Sequence, residues 1–223
     1  RLFAVGMFSS AVVACSTDDG GYYYEAPQVA YGVIANASPD SGNLFFFADN
    51  NQVNQSGLSY TRAEGYYSFF PGNRVLKLKN EAGVELASDT ISVAAGQAFS
   101  VFAVNRFEEI ELVTYPDTLD YPAQNKARVR FINLTSDAPE VTVTQNTTVL
   151  ANLSFKESSG FMDVETGAAT VFTFSNDSDS ETPYTLTAAN LSPGHIYTIY
   201  TKGYVSPAAG SNDTFSTQTI RNY

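Results

Sequence analysis

The stretch ARVRFINLTSDAPEVTV, residues 127–143, decides the fold class. Apolar residues alternate with charged and hydroxyl residues, a Ser-Asp-Ala-Pro turn interrupts them, and the alternation then resumes. Successive side chains of a β-strand point to opposite faces, so this alternation is typical of two half-buried strands around a turn. The stretch therefore predicts β-structure.

The same pattern occurs about 100 residues earlier in the chain. Three pairs of segments align at offsets of 97, 95 and 98 residues: 32–47 with 129–144, 58–72 with 153–167, and 93–104 with 191–202. A period of about 100 residues that contains several short alternating strands is the size of one β-sandwich domain. The sequence thus predicts a tandem duplication.

Composition supports an all-β fold, because 14 Tyr and 16 Phe accompany many Thr and Val residues, which fit a pleated, half-buried surface. Turn residues bound six or seven short strands in each copy, and their spacing suits antiparallel hairpins. We expect two tandem antiparallel β-sandwich domains, repeat one at 29–113 and repeat two at 127–223. The proline-containing segment 114–126 is the predicted linker.

The quoted stretch also resembles the opening of a known family, domain of unknown function 4397, whose members begin with a similar VRxxNxSPDAP motif. The matching residues are Arg128, Asn133, Asp137, Ala138 and Pro139 in repeat two, and Asn36, Ser38, Pro39 and Asp40 in repeat one. Ser136 departs from the motif, which has proline there. The resemblance implies tandem immunoglobulin-like domains in a bacterial envelope protein, and it implies no activity.

The first fifteen residues, RLFAVGMFSSAVVAC, predict export. Residues 2–14 form an apolar or small run that is too short for a spanning helix, which needs about 20 residues, but suits a signal peptide at 1–14. The ending VVAC resembles a bacterial lipobox, which implies a lipid on Cys15 and a membrane partner through that lipid. The alternative is an ordinary signal peptide followed by an unpaired thiol.

The segment 15–28 is polar and rich in glycine, so we expect a flexible tether after the lipidated Cys15. Ser16 resembles the residue that directs Gram-negative lipoproteins to the outer membrane. Asp18 and Asp19 resemble the acidic export signals of some Bacteroidetes surface lipoproteins. These resemblances imply a lipid-anchored, surface-exposed protein of the bacterial outer membrane.

Charge and motifs exclude several classes of function. The net charge of −11 at pH 7 repels phosphate backbones, so we expect no nucleic-acid partner. The chain lacks the common hydrolase, metalloprotease and phosphate-binding motifs. His195, the single histidine, follows Pro193-Gly194 and is expected to be an exposed turn residue, with a catalytic base as the alternative. We therefore predict a protein that is not an enzyme and has no cofactor.

One segment has the composition of a metal site. In SNDSDSE, 175–181, the residues Asp177, Asp179 and Glu181 alternate with other polar residues and supply oxygen ligands that Ca²⁺ prefers. No downstream glutamate stands in the register of an EF-hand. A polar hairpin tip is the favoured interpretation, and the three residues are only a weak metal candidate.

Comparison of the repeats singles out two phenylalanines of repeat one. Val141 and Val143 alternate with threonines in repeat two, so the valines should face the core. The aligned register turns Phe45 and Phe47 outward, at the positions of those threonines.

The second pair of aligned segments gives the same result. Met162 and Val164 should face the core of repeat two, beside outward acidic residues. In repeat one this register turns Tyr66 and Phe70 outward.

Four outward aromatic residues, Phe45, Phe47, Tyr66 and Phe70, are thus the candidate binding surface. Clustered exposed rings favour a docking surface for an extracellular protein or a glycan. Two alternatives are that the rings pack against repeat two or the linker, and that the register is shifted by one residue. We predict a non-catalytic envelope lipoprotein that acts in binding or adhesion; the alternative is a structural spacer or an accessory subunit.

Overall fold

A computed structural model describes residues 28–176, 179–211 and 213–222. The predicted signal peptide and Cys15 lie outside the described residues. Within the described ranges the chain is all-β, and its only helices are two single 3₁₀ turns. The prediction of an all-β fold is therefore confirmed. No helix in this part of the chain is long and apolar enough to cross a membrane.

In the described ranges, each repeat contains eight strands. In repeat one they are β1 (Ala30–Asn36), β2 (Phe45–Ala48), β3 (Asn51–Gln52), β4 (Ala63–Phe69), β5 (Gly72–Lys79), β6 (Glu85–Val93), β7 (Ala98–Val104) and β8 (Glu111–Asp117). In repeat two they are β9 (Ala127–Asn133), β10 (Glu140–Gln145), β11 (Thr148–Ser154), β12 (Ser158–Val164), β13 (Val171–Asn176), β14 (Asp179–Thr187), β15 (Ile196–Lys202) and β16 (Ser216–Arg221).

The strands form four sheets, two in each repeat. The inner sheets have the orders β4-β1-β7-β8 and β12-β9-β15-β16, and the outer sheets have the orders β3-β2-β5-β6 and β11-β10-β13-β14. The order is the same in both repeats, strand for strand. The turn after β9 carries the chain from the inner sheet to the outer sheet, so β9 and β10 do not form a hairpin.

One strand pairing in each inner sheet departs from the predicted antiparallel arrangement. Strand β1 pairs with β7 in parallel, and β9 pairs with β15 in parallel. Parallel neighbours need a long connection between them. The strands from β2 to β6 provide that connection, because they return the chain to the end at which β1 starts.

A hydrophobic core fills the space between the inner and outer sheet of each repeat. The side chains that the alternation turns inward lie in these cores: Leu44, Phe46, Tyr67 and Phe69 in repeat one, and Val141, Val143, Met162 and Val164 in repeat two. The predicted register of β2, β4, β10 and β12 is therefore the observed one.

The asparagine of the sequence motif holds each turn. The side-chain amides of Asn36 and Asn133 are buried and donate hydrogen bonds to the carbonyls of Leu58 and Leu153, at 3.0 and 3.1 Å. Each Oδ1 accepts the backbone N–H two residues on, at 3.1 Å in both repeats. A buried amide with several satisfied partners fixes a conformation, so the motif serves the fold.

A third core joins the two inner sheets face to face. It contains the buried residues Ala35, Ala37, Phe102, Val104, Tyr115, Ile132, Leu134 and Tyr200. Many of these are counterparts in the duplication, and the rings of Phe102 and Tyr200 meet edge to face at 5.3 Å. Each repeat therefore packs the same inner face against its counterpart.

The segment between the repeats is shorter than the predicted linker, 114–126. Strand β8 continues to Asp117, and Pro116 lies within it, paired with Phe99. Among the described strands, β8 pairs only with β7 and is the edge of its sheet. Proline is tolerated on an edge strand, which is why the proline there does not end the strand.

Candidate binding surface

The structure separates the four aromatic residues of the candidate binding surface. Phe45, Phe47 and Phe70 lie on the outside of repeat one, whereas Tyr66 lies at the junction with repeat two. The observed register turns all four rings away from the core of repeat one. What they meet on that side differs from ring to ring.

Phe45 and Phe47 stand two residues apart on the outer face of β2, and both are half-buried. They line a shallow groove of about 180 Å³, called here the β2 groove, together with Gln52, Lys79, Asn80, Glu81 and Gly83. The Lys79 ammonium lies 4.6 Å from the centre of the Phe47 ring, within the range of a cation–π contact. The β2 groove thus combines two rings with polar groups of both signs.

Phe70 is the most exposed of the four, with 71 % of its surface accessible. It borders a second groove of about 210 Å³, called here the Phe70 groove, which lies between the β2–β3 turn and the β4–β5 turn. The other lining residues are Ala48, Asp49, Asn51, Gln52, Val53, Tyr67, Ser68, Phe69 and Arg74. Gln52 lines both grooves, so the two adjoin.

An ion pair forms the polar side of the Phe70 groove. Arg74 Nη1 donates to Asp49 Oδ2 at 2.9 Å, and the two side chains remain 29 % and 38 % exposed. Tyr67 donates its hydroxyl to Glu64 Oε2 at 2.8 Å. Burial, and then that hydrogen bond, raise the pKa of Tyr67 to about 12. The groove therefore presents a neutral phenol and an internally neutralised ion pair at ordinary pH.

Tyr66 points outward from repeat one and contacts repeat two, which is one of the alternatives to a binding surface. Its hydroxyl donates to Asp117 Oδ2 at 2.7 Å and accepts from Asn222 Nδ2 at 3.1 Å. Burial, followed by the Asp117 carboxylate, raises the pKa of Tyr66. The Tyr66 hydroxyl therefore belongs to the junction between the repeats.

Arg130 lies at the same junction, and the sequence pattern did not single it out. Its Nη2 lies 2.8 Å from Asp117 Oδ1, and the two side chains are 2 % and 0 % exposed. Nη2 also donates to Thr198 Oγ1 at 3.0 Å, and the guanidinium lies 4.6 Å from the centre of the Phe161 ring. Burial lowers the pKa of Arg130, and the Asp117 carboxylate opposes that shift.

In a comparison with protein-family models, residues 30–144 match the family described as domain of unknown function (DUF4397). The chain belongs to this family. The matched segment contains all of repeat one, the connection between the repeats and the first strands of repeat two. No curated protein matches this DUF4397 chain.

Among solved structures, the DUF4397 chain is similar to one reported for alpha-glucan binding by a streptococcal virulence factor, with 13 % identity, a TM-score of 0.25, and coverage of 77 % of this chain and 92 % of that one. It is also similar to a candidate cell adhesion protein from Bacteroides eggerthii, with 9 % identity, a TM-score of 0.22, and coverage of 88 % and 96 %. At such TM-scores neither likeness supports a conclusion about this chain.

His195, the alternative catalytic base, has a structural contact. Its Nδ1 lies 3.0 Å from the carbonyl oxygen of Pro193, and its ring lies 6.3 Å from that of Tyr197. Within the described ranges, no serine hydroxyl or carboxylate hydrogen-bonds to the imidazole. The geometry of this DUF4397 member therefore supplies no catalytic pair at His195.

The weak metal candidate falls largely outside the described part of the chain. Asp177 lies outside the described residues, and so do the side chains of Asp179 and Glu181. Among the described residues, no three His, Cys, Asp or Glu side chains are grouped so that they could hold a metal ion.

Proposed function

We propose that this chain is a non-catalytic binding or adhesion module of the bacterial cell envelope. It consists of two immunoglobulin-like sandwiches, is anchored in the outer membrane by a lipid on Cys15, and faces the exterior. Repeat one binds an extracellular protein or polysaccharide through Phe45, Phe47 and Phe70. The observation that carries the proposal is the exposure of Phe70 beside one groove, together with Phe45 and Phe47 in a second groove that shares Gln52 with the first.

Exposed rings favour binding because a large apolar side chain is normally covered. Burying such a side chain stabilises it by about 1.5–3 kcal/mol relative to leaving it in water. Phe70 forgoes most of that gain in the free protein, since 71 % of its surface is accessible. A ligand that covers the ring recovers the gain, which is why exposed aromatic residues dominate many binding sites.

The contact between the two repeats holds repeat one in a fixed position. The third core and the Arg130–Asp117 pair bury the inner sheets of both repeats against each other. A large apolar contact of this kind restricts relative domain motion. Repeat two then acts as a rigid base, and the outer sheet of repeat one remains free.

A spacer or accessory subunit of an envelope assembly is the second candidate function. The observation that favours it is Tyr66, whose hydroxyl is bound within the junction by Asp117 and Asn222. A spacer needs rigidity but no exposed rings. The two functions therefore differ in whether the surface of repeat one binds anything.

The test is a screen of the immobilised full chain against arrays of extracellular proteins and glycans. The informative variant carries the residues that repeat two has at the corresponding positions, Phe45→Thr, Phe47→Thr and Phe70→Glu, and is called here the repeat-two-like variant. We expect it to lose the ligands that the wild type retains. Val149→Ala, at a residue of repeat two that is 57 % exposed, is the control and should bind normally. Absence of any ligand for the wild type would favour the spacer, and equal binding by all three proteins would place the binding site outside these three rings.

The anchor is tested separately. In the bacterial host, Cys15→Ala should shift the protein from the membrane fraction to the soluble fraction and abolish labelling with a radioactive fatty acid. If Cys15→Ala stays in the membrane fraction and the wild type takes up no label, the protein is not a lipoprotein. That result would leave the proposed binding surface unaffected.

A further inference from the structure

We propose that the Phe70 groove binds one neutral sugar ring of an extracellular polysaccharide. The Phe70 ring supplies the stacking surface, and the Asp49–Arg74 pair supplies the hydrogen-bonding edge. This inference rests on the proposed function and names the ligand class for one part of the surface.

One oxygen of Asp49 has a structural role that both repeats share. Asp49 and its counterpart Asn146 both have a positive φ, of 56° and 54°, directly after the second strand. In each, Oδ1 accepts the backbone N–H of a valine, Val75 or Val171, at 3.0 Å. The amide of Asn146 meets this need without a charge, so the turn does not require a carboxylate.

The second oxygen of Asp49 is therefore free for another purpose, and it binds Arg74. The strand pairing aligns Arg74 with Thr170 of repeat two, and Phe70 aligns with Glu165. An exposed ion pair stabilises a fold by only about 0–1 kcal/mol. Repeat one thus carries a ring and an ion pair that the shared fold does not need, and they border the same groove.

The chemistry of the groove matches a sugar ring. A pyranose presents a face of C–H groups and a rim of hydroxyls that both donate and accept. The Phe70 ring suits the apolar face. A carboxylate only accepts hydrogen bonds and a guanidinium only donates them, so Asp49 and Arg74 side by side can satisfy both functions of the rim.

Charge selects a neutral sugar over an acidic one. The Arg74 cation is neutralised by Asp49 at 2.9 Å, so the groove offers no unpaired positive charge. The chain as a whole carries a net charge of −11 at pH 7 and repels polyanions at long range. An acidic polysaccharide would meet both effects.

The volume of the groove indicates one unit of a polymer. Pockets that enclose a whole small ligand measure roughly 300–1,000 Å³, whereas the Phe70 groove measures about 210 Å³. Gln52 lines both this groove and the β2 groove with Phe45 and Phe47. We infer that the next unit of the chain lies over those two rings.

The experiment measures binding of the full chain, by calorimetry, to neutral polysaccharides (a glucan, a galactan and a mannan) and to the acidic polymers alginate and polygalacturonate. We expect at least one neutral polymer to bind and both acidic polymers to fail. Phe70→Ala and Asp49→Asn should each weaken binding about tenfold or more, the size of an interface hot spot. Asp49→Asn preserves the Oδ1 contact, as Asn146 shows, so the variant separates recognition from folding.

The controls are Val149→Ala and Asn146→Asp, both in repeat two, which should bind as the wild type does. If a neutral polymer binds and only Phe45→Thr with Phe47→Thr weakens it, the groove assignment is wrong and the proposed function stands. Preferential binding of an acidic polymer, or of a protein alone, contradicts the neutral sugar but not the binding module. Failure of every polymer and every protein in the arrays contradicts both.

Discussion

Repeat one and repeat two have the same strand order and the same buried turn asparagine, yet their outer surfaces differ. At the positions of Phe45, Phe47 and Phe70, repeat two has two threonines and a glutamate. What the repeats share, Asn36 with Asn133 above all, maintains the fold. The outer-surface differences are not required by the shared fold, and the proposed binding surface of repeat one consists of these positions.

The inner faces give the opposite lesson. The rings of Phe102 and its counterpart Tyr200 contact each other at the junction. The same face of each repeat therefore forms the contact between the repeats. One difference at the junction is that repeat one has buried Val33 where repeat two has buried Arg130. The Arg130 guanidinium binds Asp117 across the junction. This ion pair has no symmetric equivalent, because the counterpart of Arg130 is Val33.

The largest effect is expected from breaking that asymmetry. Arg130→Met leaves the Asp117 carboxylate buried without its cationic partner, and such a change costs about 3–5 kcal/mol. Urea unfolding of the full chain measures the loss, with the exposed Arg62→Met as control, expected within about 0.5 kcal/mol. Adding Asp117→Leu to Arg130→Met should recover much of the stability. An equal loss in Arg62→Met and Arg130→Met would contradict the claim that the Arg130–Asp117 pair stabilises the junction.

The second largest effect is expected at alkaline pH, which should destabilise the junction between the repeats. Burial raises the pKa of Tyr66, Tyr115 and Tyr200 at the junction above their ordinary value of 10.0. The folded state then holds these protons more tightly than the unfolded state. The resulting stability is fully present below pH 10 and is lost as the pH rises above it, by about 1.4 kcal/mol per pH unit for each phenol.

Ultraviolet absorbance of tyrosinate, recorded together with unfolding, tests this dependence. The junction phenols should ionise in the same step in which the structure is lost. Ionisation of all tyrosines before any loss of structure would show that the junction phenols are accessible.

A smaller effect is expected when the junction of repeat one is made like that of repeat two. The counterpart of Tyr66 is Phe161, which has no hydroxyl. Tyr66→Phe removes the bonds to Asp117 and Asn222, and a buried polar group left without a partner costs about 1–3 kcal/mol. Denaturant unfolding gives the value. A variant as stable as the wild type would mean that water replaces the hydroxyl.

The smallest effect on stability is expected at the Phe70 groove. Asp49→Asn copies the turn of repeat two and should change the free energy of unfolding by less than about 1 kcal/mol. Its reciprocal, Asn146→Asp, should be as mild. Thermal unfolding of both variants measures this. A large loss in Asp49→Asn alone would show that the ion pair serves the fold of repeat one.

The sequence predicts the outer sheets better than the inner ones. Alternation shows which side of β2 and β10 is buried, because only one face of an outer sheet meets a core. The stretches FSVFAV in β7 and IYTIYT in β15 are apolar or aromatic on both faces. That lack of alternation is the sequence signal of a strand buried on both sides, and it points to the junction of the repeats.

Other features depend on contacts that no local pattern contains. Arg130 alternates with apolar residues in β9 as a solvent-facing residue would, and only the opposing repeat buries it. Asp49 and Arg74 are 25 positions apart and meet because β2 pairs with β5. The Phe70 groove therefore could not be derived from spacing, although the exposed ring beside it could.

The measurement that tests the account most directly is the affinity of two chains for one neutral polysaccharide, the wild type and the repeat-two-like variant. Both should be folded, with the junction intact, since the three substitutions lie at outer positions. We predict that the variant binds at least about a hundredfold more weakly, because about 1.4 kcal/mol corresponds to each factor of ten and three rings are removed. Affinities within about twofold of each other would contradict the claim that the rings of repeat one form the binding surface.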